Sequence, residues 1–104
     1  NNWSYVTGEG SGVTWNGEIL LEAPSGTYSH LALQGTLTIQ GTITDIGGGH
    51  AYLINYGNVT LNRAVEADSF QNQFGNLTLN DVVGVRYLYN YNGNLFVNAN
   101  TTVG

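Results

Sequence analysis

Two histidines are the clearest candidates for chemistry in this chain, because it contains no cysteine. A zinc or other transition-metal site needs several converging nitrogen, sulfur or carboxylate ligands. His30 and His50 supply only two imidazoles, and neither belongs to a metal-binding motif such as His-Glu-x-x-His. The sequence therefore predicts no metal ligand and no cofactor-binding residue.

Carboxylates are the other groups that could take part in acid–base chemistry or bind calcium. They include Glu18, Glu22, Asp45, Glu66, Asp68 and Asp81. An enzyme built on them would need a cleft walled by long loops, and the chain offers one short glycine-rich insertion. It also lacks a Gly-x-Ser-x-Gly nucleophile elbow and a phosphate-binding loop with lysine. We expect solvated surface carboxylates, no catalytic residue and a protein that is not an enzyme.

Four Asn-x-Ser/Thr sequons make asparagine a candidate for modification. They begin at Asn2, Asn58, Asn76 and Asn100. A chain rich in Asn and Thr forms such triplets by chance. The four are candidate N-glycosylation acceptors if the protein is secreted by an organism that glycosylates asparagine.

The charge balance excludes several partners. The net charge is −5, and the only basic side chains are Arg63 and Arg86. Binding to nucleic acid or to an anionic membrane depends on basic side chains, and membrane insertion requires a long apolar run. We therefore expect no nucleic acid and no membrane insertion. Few cations with abundant Asn, Thr and Gly indicate an extracellular or cell-surface protein.

A repeated segment organises the chain. Its four clear copies are Gly35–Gln40, Gly57–Asn62, Gly75–Asn80 and Gly93–Asn98, with a weaker fifth at Gly17–Glu22. Successive glycines are separated by 18, 22, 18 and 18 residues. The longer interval contains a four-residue insertion near 47–50, so the period is 18.

Each copy alternates between apolar and polar residues, which predicts a strand with one buried face. Strands that recur in one orientation stack most simply as a parallel coil. We predict an all-β, single-domain parallel β-solenoid (β-helix) of about five 18-residue rungs over 11–104, with 1–10 as an N-terminal arm or cap. Stacking would also align outward asparagines in two columns, Asn58–Asn76–Asn94 and Asn62–Asn80–Asn98. A β-sandwich or jelly roll is the alternative.

The ends of this coil suggest self-assembly. Ser11–Asn16 match the six residues that precede each glycine, and the last rung contains the twelve residues from Gly93 to Gly104, so the two partial rungs add up to one. Head-to-tail contact between such ends is open-ended and produces filaments. We therefore expect a second copy of the chain as the partner, and the candidate self-assembly residues are Trp3, Tyr5, Val13, Trp15, Leu95, Val97 and Val103.

Aromatic and threonine rows leave a binding module open as an alternative. Tyr87, Tyr89 and Tyr91 form a stripe that could stack on a surface glycan, fill a wall of the last rung or contact a neighbouring subunit. Repeated threonines such as Thr60 and Thr78 are also typical of ice-binding solenoids.

The motif text resembles the repeats of filamentous haemagglutinin-like adhesins and autotransporter passenger domains. The resemblance rests on Gly57–Asn62, Gly75–Asn80 and the run 35–43, and it covers about residues 17–104. It implies a right-handed parallel β-helix, secretion, and adhesion or surface assembly through a glycan or receptor. Because those proteins are far longer, the chain would be either a fragment of a larger surface adhesin or a unit that polymerises.

The repeat predicts that Leu79 points into a shared interior. Leu79→Asp should bury an unpaired charge and lower the free energy of unfolding by several kcal/mol. Urea denaturation followed by circular dichroism measures this loss. An unfolding midpoint equal to that of the parent chain would contradict the predicted interior position.

Overall fold

The computed structural model describes residues 2–104, and all regular structure in this range is β-strand. Val, Ile, Leu, Tyr and Phe alternate with Thr and Asn along short segments, a pattern that suits pleated, half-buried strands. The strands are Asn2–Trp15 (β1), Ile19–Leu21 (β2), Tyr28–Ile39 (β3), Ile43–Asp45 (β4), His50–Asn55 (β5), Asn58–Leu61 (β6), Val65–Asn72 (β7), Asn76–Leu79 (β8), Val83–Asn90 (β9), Asn94–Val97 (β10) and Thr101–Val103 (β11).

The chain winds as a three-sided coil. Face A stacks the segments 2–8, 28–35, 50–55, 69–72 and 87–90. Face B stacks 13–15, 36–39, 58–61, 76–79 and 94–97. Face C stacks 19–21, 43–45, 65–67, 83–85 and 101–103. Every pairing is parallel, so the predicted β-solenoid is confirmed and the β-sandwich alternative is wrong.

Inward side chains form apolar columns along the axis of the coil. Leu61 pairs with Ile39 on one side and Leu79 on the other, and all three are at most 1% exposed. Phe70 on face A is also fully buried. The interior positions derived from the repeat are therefore confirmed. The interior is one continuous apolar cluster drawn from all three faces.

The steps between rungs are less regular than an 18-residue period. On face C, Ile19 pairs with Ile43, Ile43 with Val65, and Val65 with Val83, which are steps of 24, 22 and 18 residues. The weak fifth copy at Gly17–Glu22 is wrong, because its strand Ile19–Leu21 belongs to face C. The first-rung counterpart of the motif is Val13–Trp15, which pairs with Leu37–Ile39 on face B.

The first rung is also more complete than expected. Ser11–Asn16 do not form the half-rung that precedes a glycine, because residues 2–8 fill that place by pairing with 29–35. The expected division at residue 10 lies inside β1, where the register shifts between Gly8 and Val13. The described part of the expected arm thus continues the sheet of face A.

Extra residues in the early rungs lie at the corner between faces C and A. Residues 22–27 and 46–49 form loops there, whereas β7 and β9 run through the same corner as single strands. The two loops stack, because Gly49 N donates to the Ala23 carbonyl at 2.7 Å. The insertion expected near 47–50 occupies this corner, and the strand begins again at His50.

The glycine of each motif lies at the corner between faces A and B, where successive backbones approach closely. A Cβ placed on Gly35, Gly57, Gly75 or Gly93 would come within 1.9–2.6 Å of the carbonyl oxygen of the glycine one rung earlier. Gly35 and Gly75 also have φ angles of +72° and +77°, which side chains disfavour. The repeat therefore requires glycine for both space and backbone conformation.

Gly75→Ala should lower the free energy of unfolding by at least about 2 kcal/mol, because it combines left-handed strain with a backbone clash. Gly84→Ala is the matched control, since a Cβ there meets nothing within 4 Å. It should change stability by no more than about 0.5 kcal/mol. Urea denaturation of both variants measures the difference, and an equal loss of stability in the two would refute the requirement for glycine at this corner.

Candidate functional site

The first rung leaves the N-terminal end of the interior uncovered. Within the described residues, β1 pairs with β3 alone and β2 with β4 alone, so one edge of each is unpaired. Val13 and Trp15 extend the columns of Leu37 and Ile39 but are 39% and 42% exposed, whereas Leu37 and Ile39 are at most 1% exposed. This N-terminal rim exposes apolar side chains that interior rungs bury.

In the last rung, likewise within residues 2–104, β10 pairs with β8 alone and β11 with β9 alone. Leu95 and Val97 continue the columns of Leu77 and Leu79, and Val103 continues that of Val85. Leu95 is half-buried, while Val97 and Val103 are exposed. Five of the seven predicted self-assembly residues thus lie at inward positions of the terminal rungs, three of them on this C-terminal rim.

Neither rim is strongly protected against strand pairing. Natural sheets usually guard free edges with charge, proline or a covering element. Strands β10 and β11 contain no charged residue and no proline. At the N-terminal rim, Glu18 and Glu22 flank β2, and the Glu18 carboxylate accepts a hydrogen bond from the Thr42 hydroxyl at 3.2 Å.

Side-chain amides form the two outer columns predicted from the repeat. Asn80 donates to Asn62, and Asn98 donates to Asn80, each at 2.8 Å. In the other column, Asn94 donates to the Asn76 side chain at 3.0 Å. Both columns are confirmed, and their bonds fix the register of one rung on the next.

A third amide column lies inside the coil and was not predicted. Asn55 and Asn72 are fully buried, and Asn55 Nδ2 donates to Asn72 Oδ1 at 2.7 Å. Asn72 Nδ2 donates in turn to Asn90 Oδ1 at 2.8 Å. The sequence feature that could have predicted this column is an asparagine two or three residues before Gly57, Gly75 and Gly93. These side chains satisfy the polar backbone of the glycine corner, since Asn55 bonds both the N–H and the carbonyl of Gly57.

Trp3 and Tyr5 lie on the outer surface of face A rather than in the interior columns. Both are about half exposed, and the Trp3 indole stacks on His30 with ring centroids 4.2 Å apart. They therefore differ from the other self-assembly candidates. The tyrosine stripe Tyr87–Tyr89–Tyr91 occupies the same outer surface on the last rung, with neighbouring centroids 5.7–6.1 Å apart.

The two histidines also belong to this outer surface. His50 Nδ1 lies 3.1 Å from Asp68 Oδ2, and Arg86 Nε lies 3.4 Å from Asp68 Oδ1. Burial raises the pKa of the nearby Tyr52 phenol, and Tyr28 and Asp68 raise it further. Across residues 2–104, no three His, Asp or Glu side chains converge as metal ligands would.

The glycosylation candidates lie on two faces and the rim. Asn58 and Asn76 are exposed on face B, although both side-chain oxygens accept hydrogen bonds along the outer column. Asn100 is exposed just before β11. The side chain of Asn2 lies outside the described part of the chain. In residues 2–104 there is no helix long and apolar enough to cross a membrane.

No family model, curated protein or solved structure matches this chain. The resemblance to filamentous haemagglutinin-like repeats therefore stays a prediction.

The buried amide column should contribute more to stability than the exposed ones. Asn72→Ala removes the partner of both Asn55 and Asn90 and should lower the free energy of unfolding by about 2–3 kcal/mol. Asn80→Ala, which also breaks two amide bonds but on an exposed face, should cost less than about 1 kcal/mol. Chemical denaturation of the two variants would contradict this if the exposed substitution were the more damaging.

Proposed function

We propose that this chain is an extracellular structural unit that stacks head-to-tail with further copies of itself into an unbranched, adhesive filament. One observation carries the proposal. The same three faces and the same interior columns reach both rims, where the strands are unpaired and the apolar side chains exposed.

The strand pairing within one copy predicts which residues of two copies would align at such a junction. Strand β10 of one copy would pair with residues 13–15 of the next, placing Val13 on Leu95 and Trp15 on Val97. Strand β11 would pair with β2, placing Leu21 on Val103. Outside the core, Asn16 would meet Asn98 and extend the amide column that already runs from Asn62 through Asn80.

The energetics favour this contact. Full burial of a large apolar side chain contributes about 1.5–3 kcal/mol. Trp15 is already more than half buried, so covering the remainder contributes about 1 kcal/mol, to which Val13, Val97 and Val103 add. Three new parallel strand pairs form at the same junction. Because the two contacting surfaces differ, each added copy leaves a fresh rim and growth continues.

The surface composition supports an exposed, adhesive setting. Face B presents stacked Asn and Thr side chains such as Thr60 and Thr78, and the whole chain has only two basic residues. A filament multiplies any weak surface contact along its length, because linked sites bind with a high effective concentration. Each copy would advance the axis by five strand spacings, about 24 Å.

Trp15→Asp should abolish assembly, because it places a carboxylate in the apolar column at the junction. Negative-stain electron microscopy and sedimentation velocity of the full chain should show filaments for the parent and monomers for the variant. Val82→Asp is the matched control. Val82 is an exposed apolar residue that lies outside both terminal rungs, so this variant should still form filaments.

Circular dichroism must show equal β-structure in both variants for the comparison to hold. A parent chain that stays monomeric at high concentration would refute the filament and favour a segment of a longer surface adhesin. Equal loss of assembly in Val82→Asp would also count against the proposed junction.

A further inference from the structure

A shallow cleft of about 340 Å³ opens on the outer surface of face A. Its lining residues are Trp3, Tyr5, Gln34 and Tyr56. Trp3 and Tyr5 come from the first rung, Gln34 from the second and Tyr56 from the third. A small middle side chain creates the depression, because Ala32 pairs with Tyr5 and is fully buried between the first and third rungs.

The cleft walls are held in place by contacts outside the cleft. Trp3 stacks on His30 with the two ring planes 8° apart. Tyr56 packs against Phe74 of the next rung, with ring centroids 6.2 Å apart. The Gln34 side-chain oxygen accepts a hydrogen bond from the Thr7 hydroxyl at 3.1 Å, which leaves the Gln34 amide nitrogen available to donate to a ligand. The site is therefore largely preformed.

The lining selects a neutral ligand with both apolar and hydroxyl surfaces. None of the four lining side chains carries a charge at neutral pH, so no group in the cleft would compensate a charged ligand. Three aromatic rings offer apolar contact area with polar groups at their edges, and the Gln34 amide offers a hydrogen-bond donor. A pyranose ring has this dual character, with C–H groups on its faces and hydroxyls around its edge.

The cleft also has room for one sugar ring. Its volume of about 340 Å³ exceeds that of a single pyranose, and it is open on the outer surface, so the chain of a longer saccharide would continue along face A.

We propose that this cleft is a binding site for one residue of a neutral saccharide. Tyr5 and Tyr56 contact the sugar ring, and the Gln34 amide donates to one of the sugar hydroxyls. Trp3 borders the ring with its edge, because His30 covers its inner face.

The cleft borders the filament junction, since the register of face A would place Tyr89 of one copy on Tyr5 of the next. Along a filament it would recur once per copy and produce multivalent binding.

Isothermal titration calorimetry of the full chain with cellotetraose, chitotetraose and maltotetraose, each separately, tests the site. We expect binding of at least one of them, with a dissociation constant below about 10 mM. Tyr56→Ala should weaken this binding by about tenfold, the loss expected for one aromatic contact. Val82→Ala removes an exposed apolar side chain at the corner between faces B and C, away from the cleft and from both rims, and should leave the affinity unchanged.

A second readout reports on the cleft directly. In a Trp15→Phe variant, Trp3 is the sole indole, and its fluorescence should change on titration of the bound saccharide. Absence of heat with all three tetrasaccharides would overturn the proposal. So would binding that Tyr56→Ala leaves intact, or binding that leaves Trp3 fluorescence unaltered.

Discussion

At the corner between faces A and B, the backbones of successive rungs lie so close that no side chain fits between them. The carbonyl of Gly57 occupies the space that a Cβ on Gly75 would need, and the same holds between Gly75 and Gly93. This close approach lets the rungs superimpose in register, since parallel strands on all three faces must keep the ordinary strand spacing together. The apolar columns, the amide columns and the open rims all follow from that superposition.

The asparagine columns complement the glycine corner. Apolar packing alone would tolerate a strand shifted by two residues, because most core side chains are Leu, Ile or Val and such a shift keeps the same residues pointing inward. A buried amide tolerates less, because Asn72 must find both Asn55 and Asn90 or leave polar atoms without partners in the core. The outer asparagine columns favour the same register, but each of their hydrogen bonds is weaker because it is exposed to solvent. The register between rungs is therefore fixed most strongly in the middle of the coil and most weakly at the two rims.

The repeat in the amino-acid sequence was sufficient to predict the fold, the parallel stacking and the inward positions of residues such as Leu61 and Leu79. It misplaced the first rung, since Gly17–Glu22 resembles the motif while the strand on face B is Val13–Trp15. The physical reason is that corner loops tolerate insertions, so the first step is 24 residues and a fixed period misaligns it. The buried column at Asn55 was missed because a polar residue beside a glycine is also typical of a turn. The cleft on face A could not be predicted, because it combines residues of three rungs whose separation in the sequence depends on those same loops.

The proposed stacking surface and the proposed ligand cleft share the first rung, since Trp3 and Tyr5 line the cleft and Val13 and Trp15 lie on the rim. Head-to-tail stacking is tested most directly at positions 16 and 98. These two positions lie at opposite ends of the same outer column, one on each rim. Chains carrying Asn16→Cys and Asn98→Cys are mixed and oxidised, the disulfide-linked products are cleaved with trypsin after Arg63 and Arg86, and the linked peptides are identified by mass spectrometry under non-reducing conditions. Head-to-tail stacking in register predicts disulfides between positions 16 and 98, because stacked positions lie within the Cα separation a disulfide bridges. Disulfides between two copies of position 16 at equal yield, or no mixed product, would contradict it.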